Sequence, residues 1–451
     1  MTVNPRVAHL TFALAAVAAA LSVAAPPRAD AQSNDPAPLR LSLDDALARA
    51  TGASHRLGEA RARQAGAEAT VVVRRKSDDP TATASAGYTR TNHVDEFGVP
   101  QPNGSLRVIY PDIPDNYRAR VELVWPIYTG GRTNALERVA EAEAKAAASD
   151  LAAVRLDLRL EVSRAYWALV TARETVRVLE AALASADRAL ADVRTRVEAG
   201  FLPPNDVSRS EAQRARQELL LIEARGRVES VTVDLSRLIG LDGPSPIEPA
   251  DTLEQPAPVA AAPTALVSEA LGQRPELSAL AFRAESLDTR IAGLGIRKPT
   301  VSLASGYDVA RPNPRIFPRQ EAWQDSFDLS VNVTWSIWDS GRVVAERTEA
   351  QASATALRER RAETETQIRA DVRKQTLELA FSRAALVPAQ LGVTSAEETQ
   401  RVVTDRFDAG VAATIDVLDA QVAVLQAQFD RTRVLADIRL SEARLARILG
   451  R

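Results

Sequence analysis

A duplication within the sequence constrains this chain more than any other feature. The segment 125–240 resembles the segment 335–450 at a constant offset of 210 residues, and no gap is needed. Trp125–Arg132 and Trp335–Arg342 show it most clearly, since both read Trp-x-Ile-aromatic-x-x-Gly-Arg. Such a repeat is far longer than the unit of a solenoid, so it indicates two halves of one architecture.

The first 31 residues have the pattern of a secretory signal peptide. Arg6 precedes an apolar run over 10–25, and Ala29-Asp30-Ala31 provides a small-x-small cleavage site. A membrane anchor is the alternative, but this run is short and rich in Ala, and no later segment offers roughly twenty apolar residues in a row. The sequence therefore predicts removal of 1–31 and export of the remaining chain.

Composition excludes several classes of protein. The chain has no Cys, so an exported form has neither disulfide bonds nor a lipid on an N-terminal Cys. The net charge is −3, which gives no basic surface for nucleic acid. The 3 His are too few for a His-based metal or catalytic cluster, and Gly293-Leu294-Gly295 precedes a strand, which rules out a phosphate loop. We expect no enzyme activity, no cofactor and no bound metal.

Four segments alternate between apolar and polar residues, as β-strands with two different faces do. They cover about 81–90 and 117–128 in the first half and about 300–309 and 326–337 in the second. One explanation is an ordinary sheet whose apolar face packs on helices, and the other is a barrel with lipid outside and water inside. Lengths of about ten residues suit tilted membrane strands and favour the barrel.

The placement of aromatic residues also favours the barrel. The chain has only 5 Trp, 6 Tyr and 9 Phe, and most of them lie in or beside the four segments. Aromatic rings prefer the interface between membrane and water, so a cluster at the strand ends predicts an aromatic girdle. The predicted girdle comprises Tyr88, Tyr117, Trp125, Tyr128, Tyr307, Phe327, Trp335 and Trp338.

Two segments predict unusually long helices. The segment 132–198 has neither Pro nor internal Gly, and its apolar residues recur about every 3.5 residues, the spacing of a coiled coil. As a helix it forms a rod of roughly 100 Å. Its counterpart 342–408 contains Pro388 and Gly392, where we expect a kink or a local irregularity.

Each half is predicted to contain a first helix, two strands, the long helix and a shorter returning helix. In the first half, 41–76 has a helical pattern that ends before Pro80, and the stretch 92–116 is rich in Pro, Gly and Asn, as loops are. Each long helix ends at a Gly and reverses, which predicts two antiparallel helical hairpins. The predicted order is a signal peptide 1–31, a first repeat 32–241 with helices 132–198 and 206–239, a Pro-rich linker 242–263, and a second repeat 264–451 with helices 342–408 and 414–449.

This order resembles the TolC-like outer-membrane efflux proteins over about 41–450. The most specific element is the turn Phe407–Gln421, in which an aromatic residue stands three residues before a Gly and Asp-Val-Leu-Asp-Ala-Gln follows. Ala199–Val207 is a weaker echo of it. The resemblance implies an α+β membrane protein in which three chains each give four strands to a twelve-stranded transmembrane β-barrel, continued by a coiled-coil barrel of helices. The residues alone already require some oligomer, since four strands cannot close a barrel and open edges are not tolerated in lipid.

The resemblance also implies a function. It is that of a homotrimeric, passive exit duct in the bacterial outer membrane, part of a tripartite efflux or type I secretion system. A periplasmic adaptor and an inner-membrane transporter would open it, and the sequence does not indicate the cargo. A soluble periplasmic coiled-coil scaffold, with the sheet capping the rods, is the alternative from a different class. A coiled-coil adaptor is disfavoured because it would have one hairpin, whereas this chain has two.

At the predicted entrance, Asp416 and Asp419 match positions where the family places acidic rings, and Asp206 and Phe407 match gate positions. Carboxylates around a narrow mouth favour cations. The alternative is a solvated helix start, capped by Thr414, where Asp stabilises the helix dipole. The family's Tyr and Arg are replaced here by Phe407 and Ala412, neither of which can pair with Asp206. Apolar constriction, Arg406 and Arg209 are the candidates left to hold a closed state.

The turns at the ends of the two hairpins match the surface that the family presents to its adaptor. Exposed apolar residues at a loop tip are typical of a partner-docking site. Simple packing within the turn, with Gly supplying a positive φ, is the alternative. The predicted docking residues are Gly200, Phe201, Leu202, Gly410, Val411 and Ala412.

Overall fold

The computed structural model describes residues 39–241, 246–254 and 263–451. The predicted signal peptide therefore lies outside the described residues, as does much of the predicted linker. The first half contains, in order, β1 (Leu39–Leu41), α1 (Leu43–Ala53), α2 (His55–Arg75), β2 (Thr81–Arg90), β3 (Phe97–Pro100), β4 (Leu106–Tyr110), β5 (Asp115–Tyr128), α3 (Arg132–Glu198) and α4 (Asn205–Ile239). The second contains β6 (Ile247–Pro249), α5 (Pro263–Gln273), α6 (Pro275–Leu294), β7 (Thr300–Arg311), β8 (Gln324–Thr334), α7 (Arg342–Asp408) and α8 (Thr414–Leu449).

Several local expectations differ from the structure. The segment 41–76 is not one helix, because Ser54 takes an extended conformation between α1 and α2 and its side chain accepts a hydrogen bond from the Leu57 N–H at 3.3 Å. The stretch 92–116, read as loop, contains the hairpin of β3 and β4. Part of the linker forms β6, which pairs in parallel with β1. Pro388 lies inside α7, and the helix continues on both sides of it.

The main sheet is antiparallel, with the strand order β2-β5-β7-β8. Its register places Tyr88 opposite Tyr117, and Tyr307 opposite Phe327, so aromatic residues of neighbouring strands lie side by side. The strands of the two halves meet at the centre of the sheet, where β5 pairs with β7. The outer strands β2 and β8 form its two edges, and among the described residues no other strand pairs with either edge.

The helices form two hairpins that pack along one another. α3 packs on α4, α7 packs on α8, and α3 also contacts α8, which joins the hairpins. The largest core lies around the middle of α3, where Tyr166 is fully buried. Its hydroxyl lies 2.7 Å from Asp251 Oδ2 and 3.0 Å from the Leu41 carbonyl oxygen. Burial, and then the Asp251 hydrogen bond, raise the pKa of Tyr166, so the hydroxyl stays a donor that fixes the linker and β1 on α3.

The two halves end their last helices in the same way. Gly240 ends α4 with φ +69°, and Gly450 ends α8 with φ +83°. A Cβ atom at Gly240 would lie 2.3 Å from the Cβ of Ala53, and one at Gly450 would lie 2.9 Å from the Gln273 carbonyl oxygen. Gly is therefore required at each position for two reasons: it adopts the left-handed conformation without strain, and it lets the end of a neighbouring helix approach closely.

Replacing Gly240 with alanine is expected to destabilise the fold by about 2 kcal/mol or more, because left-handed strain adds to the overlap with Ala53. The measurement is thermal unfolding followed by circular dichroism. Gly52→Ala is the matched control, because Gly52 is helical and a Cβ there meets nothing within 4 Å. Equal melting temperatures for the two variants would contradict the prediction.

Candidate functional site

The main sheet has one apolar face whose side chains are exposed in the single chain. All eight residues of the predicted girdle are exposed, from 39% for Tyr117 to 82% for Trp338. Tyr88, Tyr117, Tyr307 and Phe327 lie towards the strand ends far from the long helices, and Trp125, Tyr128, Trp335 and Trp338 lie where α3 and α7 begin. Between these bands the exposed residues are aliphatic, including Leu123, Leu329 and Val331.

The spacing of the two aromatic bands is the same in both halves. Trp125 lies eight positions after Tyr117 on β5, and Trp335, just beyond β8, lies eight positions after Phe327. At about 3.3 Å per residue this is about 26 Å along the strand, or about 20 Å along the membrane normal for a strand tilted by about 40°. A transmembrane β-barrel presents an apolar band of roughly 25 Å flanked by aromatic girdles. The distance between the two aromatic bands is therefore close to that in a barrel wall.

The opposite face of the sheet carries charges that pair across the strands. Arg120 on β5 forms ion pairs with Asp308 on β7 and, at 3.1 Å, with Asp328 on β8. The Arg118 Nε atom donates to Asp308 at 2.6 Å. Gly306 makes room for this arrangement, since a Cβ there would lie 2.3 Å from a guanidinium nitrogen of Arg120. A face built this way suits water and not lipid.

The two hairpin turns present apolar side chains at the ends of the helices. Gly200 and Gly410 have φ +80° and +74°, and the residues that follow them, Phe201 and Val411, are 81% and 68% exposed. Leu202 and Ala412 are half-buried against a small core formed by Val193, Phe407 and Val417. In each turn, then, the residue after the Gly points outwards and the next one packs inwards.

Asp206 and Thr414 connect the two hairpins near these turns. Thr414 Oγ1 donates to Asp206 Oδ2 at 2.7 Å, and both residues are buried. Thr414 therefore does not cap α8, contrary to the alternative considered from the sequence. The cap position is Ala413, whose N–H donates to Asp416 Oδ2 at 2.9 Å. Asp206 thus lies in a contact between α4 and α8 and not on an exposed face.

Asp416 and Asp419 lie together on the exposed side of the first turns of α8. Their neighbours Val417, Leu418 and Ala420 face inwards and are buried. The structure thus brings Asp416 and Asp419 onto one surface and places Asp206 apart from them.

Arg196, near the end of α3, is a residue that the sequence did not single out. Its guanidinium carbon lies 4.5 Å from the centre of the Phe407 ring, and it donates to the Phe407 carbonyl oxygen at 2.9 Å. It also forms ion pairs with Asp408 at 2.6 Å and with Asp192 at 2.9 Å. The ends of α3 and α7 are therefore joined by Arg196, whereas the candidates Arg406 and Arg209 are exposed. No local pattern marks the contact of Arg196 with α7, because Phe407 and Asp408 are more than two hundred residues away in sequence.

The model of the family described as Outer membrane efflux protein matches residues 46–241 and 266–451, once in each half. The chain belongs to this family. The cobalt-zinc-cadmium resistance protein CzcC of Cupriavidus metallidurans is 29% identical over 365 residues, 78% of this chain and 81% of that protein. The pyoverdine export outer membrane protein OpmQ of Pseudomonas aeruginosa is 26% identical over 396 residues, 86% of this chain and 80% of that protein. The crystal structure of the outer membrane protein VceC from Vibrio cholerae has a TM-score of 0.72 at 19% identity, and covers 90% of this chain and 96% of that chain.

These comparisons confirm the family and the fold class predicted from the sequence. This outer membrane efflux protein is a channel of tripartite efflux or secretion systems and not an enzyme, and it resides in the bacterial outer membrane with its helices in the periplasm. Members of the family form trimeric channels within such systems. Among the residues that the structure describes, no helix combines the length and the apolar character needed to cross a membrane.

Proposed function

We propose that three copies of this chain form one continuous duct, in which the four strands of each copy line a twelve-stranded barrel and the helices continue it through the periplasm. The observation that carries this proposal is the main sheet, which combines a bare apolar face, a charged face and two open edges. Joining β8 of one copy to β2 of the next removes both edges. It also turns the apolar face towards lipid and the charged face towards the lumen.

The helices offer surface for the same assembly. α4 and α7 carry large apolar side chains that are exposed in the single chain. Such residues on a hairpin of this length mark contacts with another molecule, and a neighbouring copy is the partner whose helices run alongside. The exposed residues include Leu219, Ile222 and Val233 on α4, and Leu377, Phe381, Val387 and Leu391 on α7.

At the periplasmic end, we assign Asp416 and Asp419 to the lining of the entrance. Three copies would place two carboxylates each around one mouth, which attracts cations. The closed state would be held within each copy by the Thr414–Asp206 hydrogen bond, the buried Phe407 ring and the contacts of Arg196. All of these join the first hairpin to the second, so they must break if the hairpin ends move apart.

The hairpin turns are assigned to docking of a periplasmic adaptor, and an inner-membrane transporter would supply the energy. One relative is named for resistance to cobalt, zinc and cadmium, and another for the export of pyoverdine. Passive ducts of one family, each opened by its own pump, account for this range. Cargo selection is therefore assigned to the pump, and the chain itself to the exit path.

Replacing Phe201 or Val411 with aspartate is expected to abolish export in cells, because a buried charge without a partner destabilises an apolar contact with the adaptor. Cargo accumulation is the measurement, with crosslinking to the adaptor as a second readout. Both residues are largely exposed in the single chain, so the trimer should still form on a native gel. Loss of trimers in these variants would overturn the docking assignment.

The proposal as a whole is tested by membrane fractionation and by planar-bilayer recording of the detergent-purified protein. We expect the protein in the outer membrane, a trimeric mass, and discrete current steps. A protein that stays in solution without detergent and gives no current would instead be the soluble coiled-coil scaffold.

A further inference from the structure

The loop between β7 and β8, residues 312–323, folds back onto the sheet. Asn313 is only 1% exposed, and its Nδ2 atom donates to Ser326 Oγ at 3.0 Å and to the Gln324 carbonyl oxygen at 3.1 Å. Arg315 forms an ion pair with Asp328 at 2.9 Å and donates to the Phe327 carbonyl oxygen at 3.2 Å. The loop is thus attached to the first residues of β8 by side chains of its own.

The face that this loop covers is the charged one. Asp308 and Tyr307 are adjacent on β7 and point to opposite faces. Asp308 is 3% exposed, whereas Tyr307 is 49% exposed. The loop's partners Ser326 and Asp328 share the face of Asp308, because the register pairs Asp308 with Ser326. The loop therefore lies over the charged face and leaves the aromatic face bare.

A second set of contacts ties this loop to the corresponding region of the first half. Arg319 donates to the Tyr110 hydroxyl at 2.9 Å and to Asn116 Oδ1 at 3.3 Å, and its guanidinium carbon lies 5.2 Å from the Tyr110 ring centre. A cavity of about 400 Å³ remains between loop and sheet, lined in part by Arg118, Arg120 and Arg319. The loop is held at both ends over the same face.

We propose that the 312–323 loop forms a constriction inside the outer end of the barrel, so that the duct has a second narrow point far from its periplasmic entrance. This inference rests on the proposed trimer, which turns the charged face towards the lumen. An eight-stranded barrel is just filled by its own side chains, and barrels of about sixteen strands leave an open channel. A twelve-stranded ring lies between these sizes, so three inward loops narrow it substantially.

The charges at the constriction have a consistent arrangement. The side chains of Arg118 and Arg315 are 53% and 43% exposed, whereas those of Asp308 and Asp328 are 4% and 24% exposed. The guanidinium groups face the open space, and the carboxylates that hold them are covered. Within these ion pairs, the positive charge of Arg118 and Arg315 is therefore more accessible to a solute than the negative charge of Asp308 and Asp328.

The experiment uses the absence of Cys from the chain. Arg315→Cys is introduced as the single thiol of the full-length protein in a planar bilayer, and a bulky, membrane-impermeant thiol reagent is added from the side of the loops. We expect the current to fall by about half or more, because three modified loops occlude the lumen. Leu329→Cys, on the apolar face of β8, is the matched control and should not respond to the reagent.

Two further variants keep the test decisive. Pro314→Cys, exposed in the same loop, replaces Arg315→Cys if that variant does not assemble. Arg315→Gln releases the ion pair with Asp328 and should raise the conductance above that of the wild type. If the wild type conducts and modification reduces the current of neither Cys variant, the proposed constriction is wrong, and the proposed duct still stands. No current from the wild type would instead contradict the proposed duct.

Discussion

Exchange of both Asp416 and Asp419 for asparagine is expected to reduce the cation selectivity of the channel by about tenfold. Both carboxylates are exposed at the start of α8, and a trimer would concentrate their charge around one mouth. Asparagine keeps the size of each side chain, and its carbonyl oxygen can still accept the hydrogen bond from the Ala413 N–H. The measurement is the reversal potential of single channels under a salt gradient.

A variant with the same change in charge provides the control. Glu59→Gln with Glu68→Gln removes two exposed carboxylates from α2, a helix that packs on α3 away from the hairpin turns. Its selectivity should match the wild type. If the two double variants shifted the reversal potential equally, the change in net charge would explain the effect, and Asp416 and Asp419 would not line the entrance.

Replacement of Arg196 with glutamine is expected to raise the open probability of the isolated channel by about tenfold, which corresponds to about 1.4 kcal/mol. The arginine stacks on Phe407 and binds its carbonyl oxygen and Asp408, so it joins the ends of α3 and α7. A hydrogen bond to a charged group contributes about 1.5–3 kcal/mol, and partial exposure lowers this value. The measurement is single-channel recording without adaptor.

Arg194 offers a matched control two residues away. It forms its ion pair with Glu211 at 2.6 Å, between α3 and α4 of the same hairpin. Arg194→Gln therefore loses an ion pair without releasing one hairpin from the other, and its open probability should stay at the wild-type level. Arg196→Lys, which keeps the charge but loses the planar fork, should fall between wild type and Arg196→Gln. If the Arg194→Gln and Arg196→Gln variants had equal open probabilities, Arg196 would not hold the channel closed.

Local patterns were sufficient to predict the frame of the molecule. Strict alternation identified the four strands of the main sheet because one face is apolar and the other polar along their length. The lack of Pro and Gly between Arg132 and Glu198 predicted one long helix, and Gly200 and Gly410 marked the reversals. In each case the pattern lies within the strand, helix or turn itself, so it can be recognised without knowing which other elements pack against it.

The contacts at the hairpin ends could not be predicted in this way. Thr414 looked like a helix cap from its position, yet its hydroxyl reaches Asp206 on another helix. Arg196 resembles any other Arg of α3 until α7 is placed beside it. The break at Ser54 was missed because a Ser within an otherwise helical pattern gives a weak signal, although it is a typical capping residue. Such roles depend on which distant surfaces meet, and packing decides that.

The strand order of the main sheet has a genetic consequence. Because β2 and β8 are different edges, copies in the proposed trimer would join head to tail, and every chain would have to supply both an intact β2 and an intact β8. A chain with a damaged β8 would still pair through its β2 with a normal neighbouring copy, but the barrel of three chains could not close. With equal production of both forms and random mixing, only about one ring in eight would contain normal chains alone. Defects at either edge should therefore be dominant in cells that also make the intact protein.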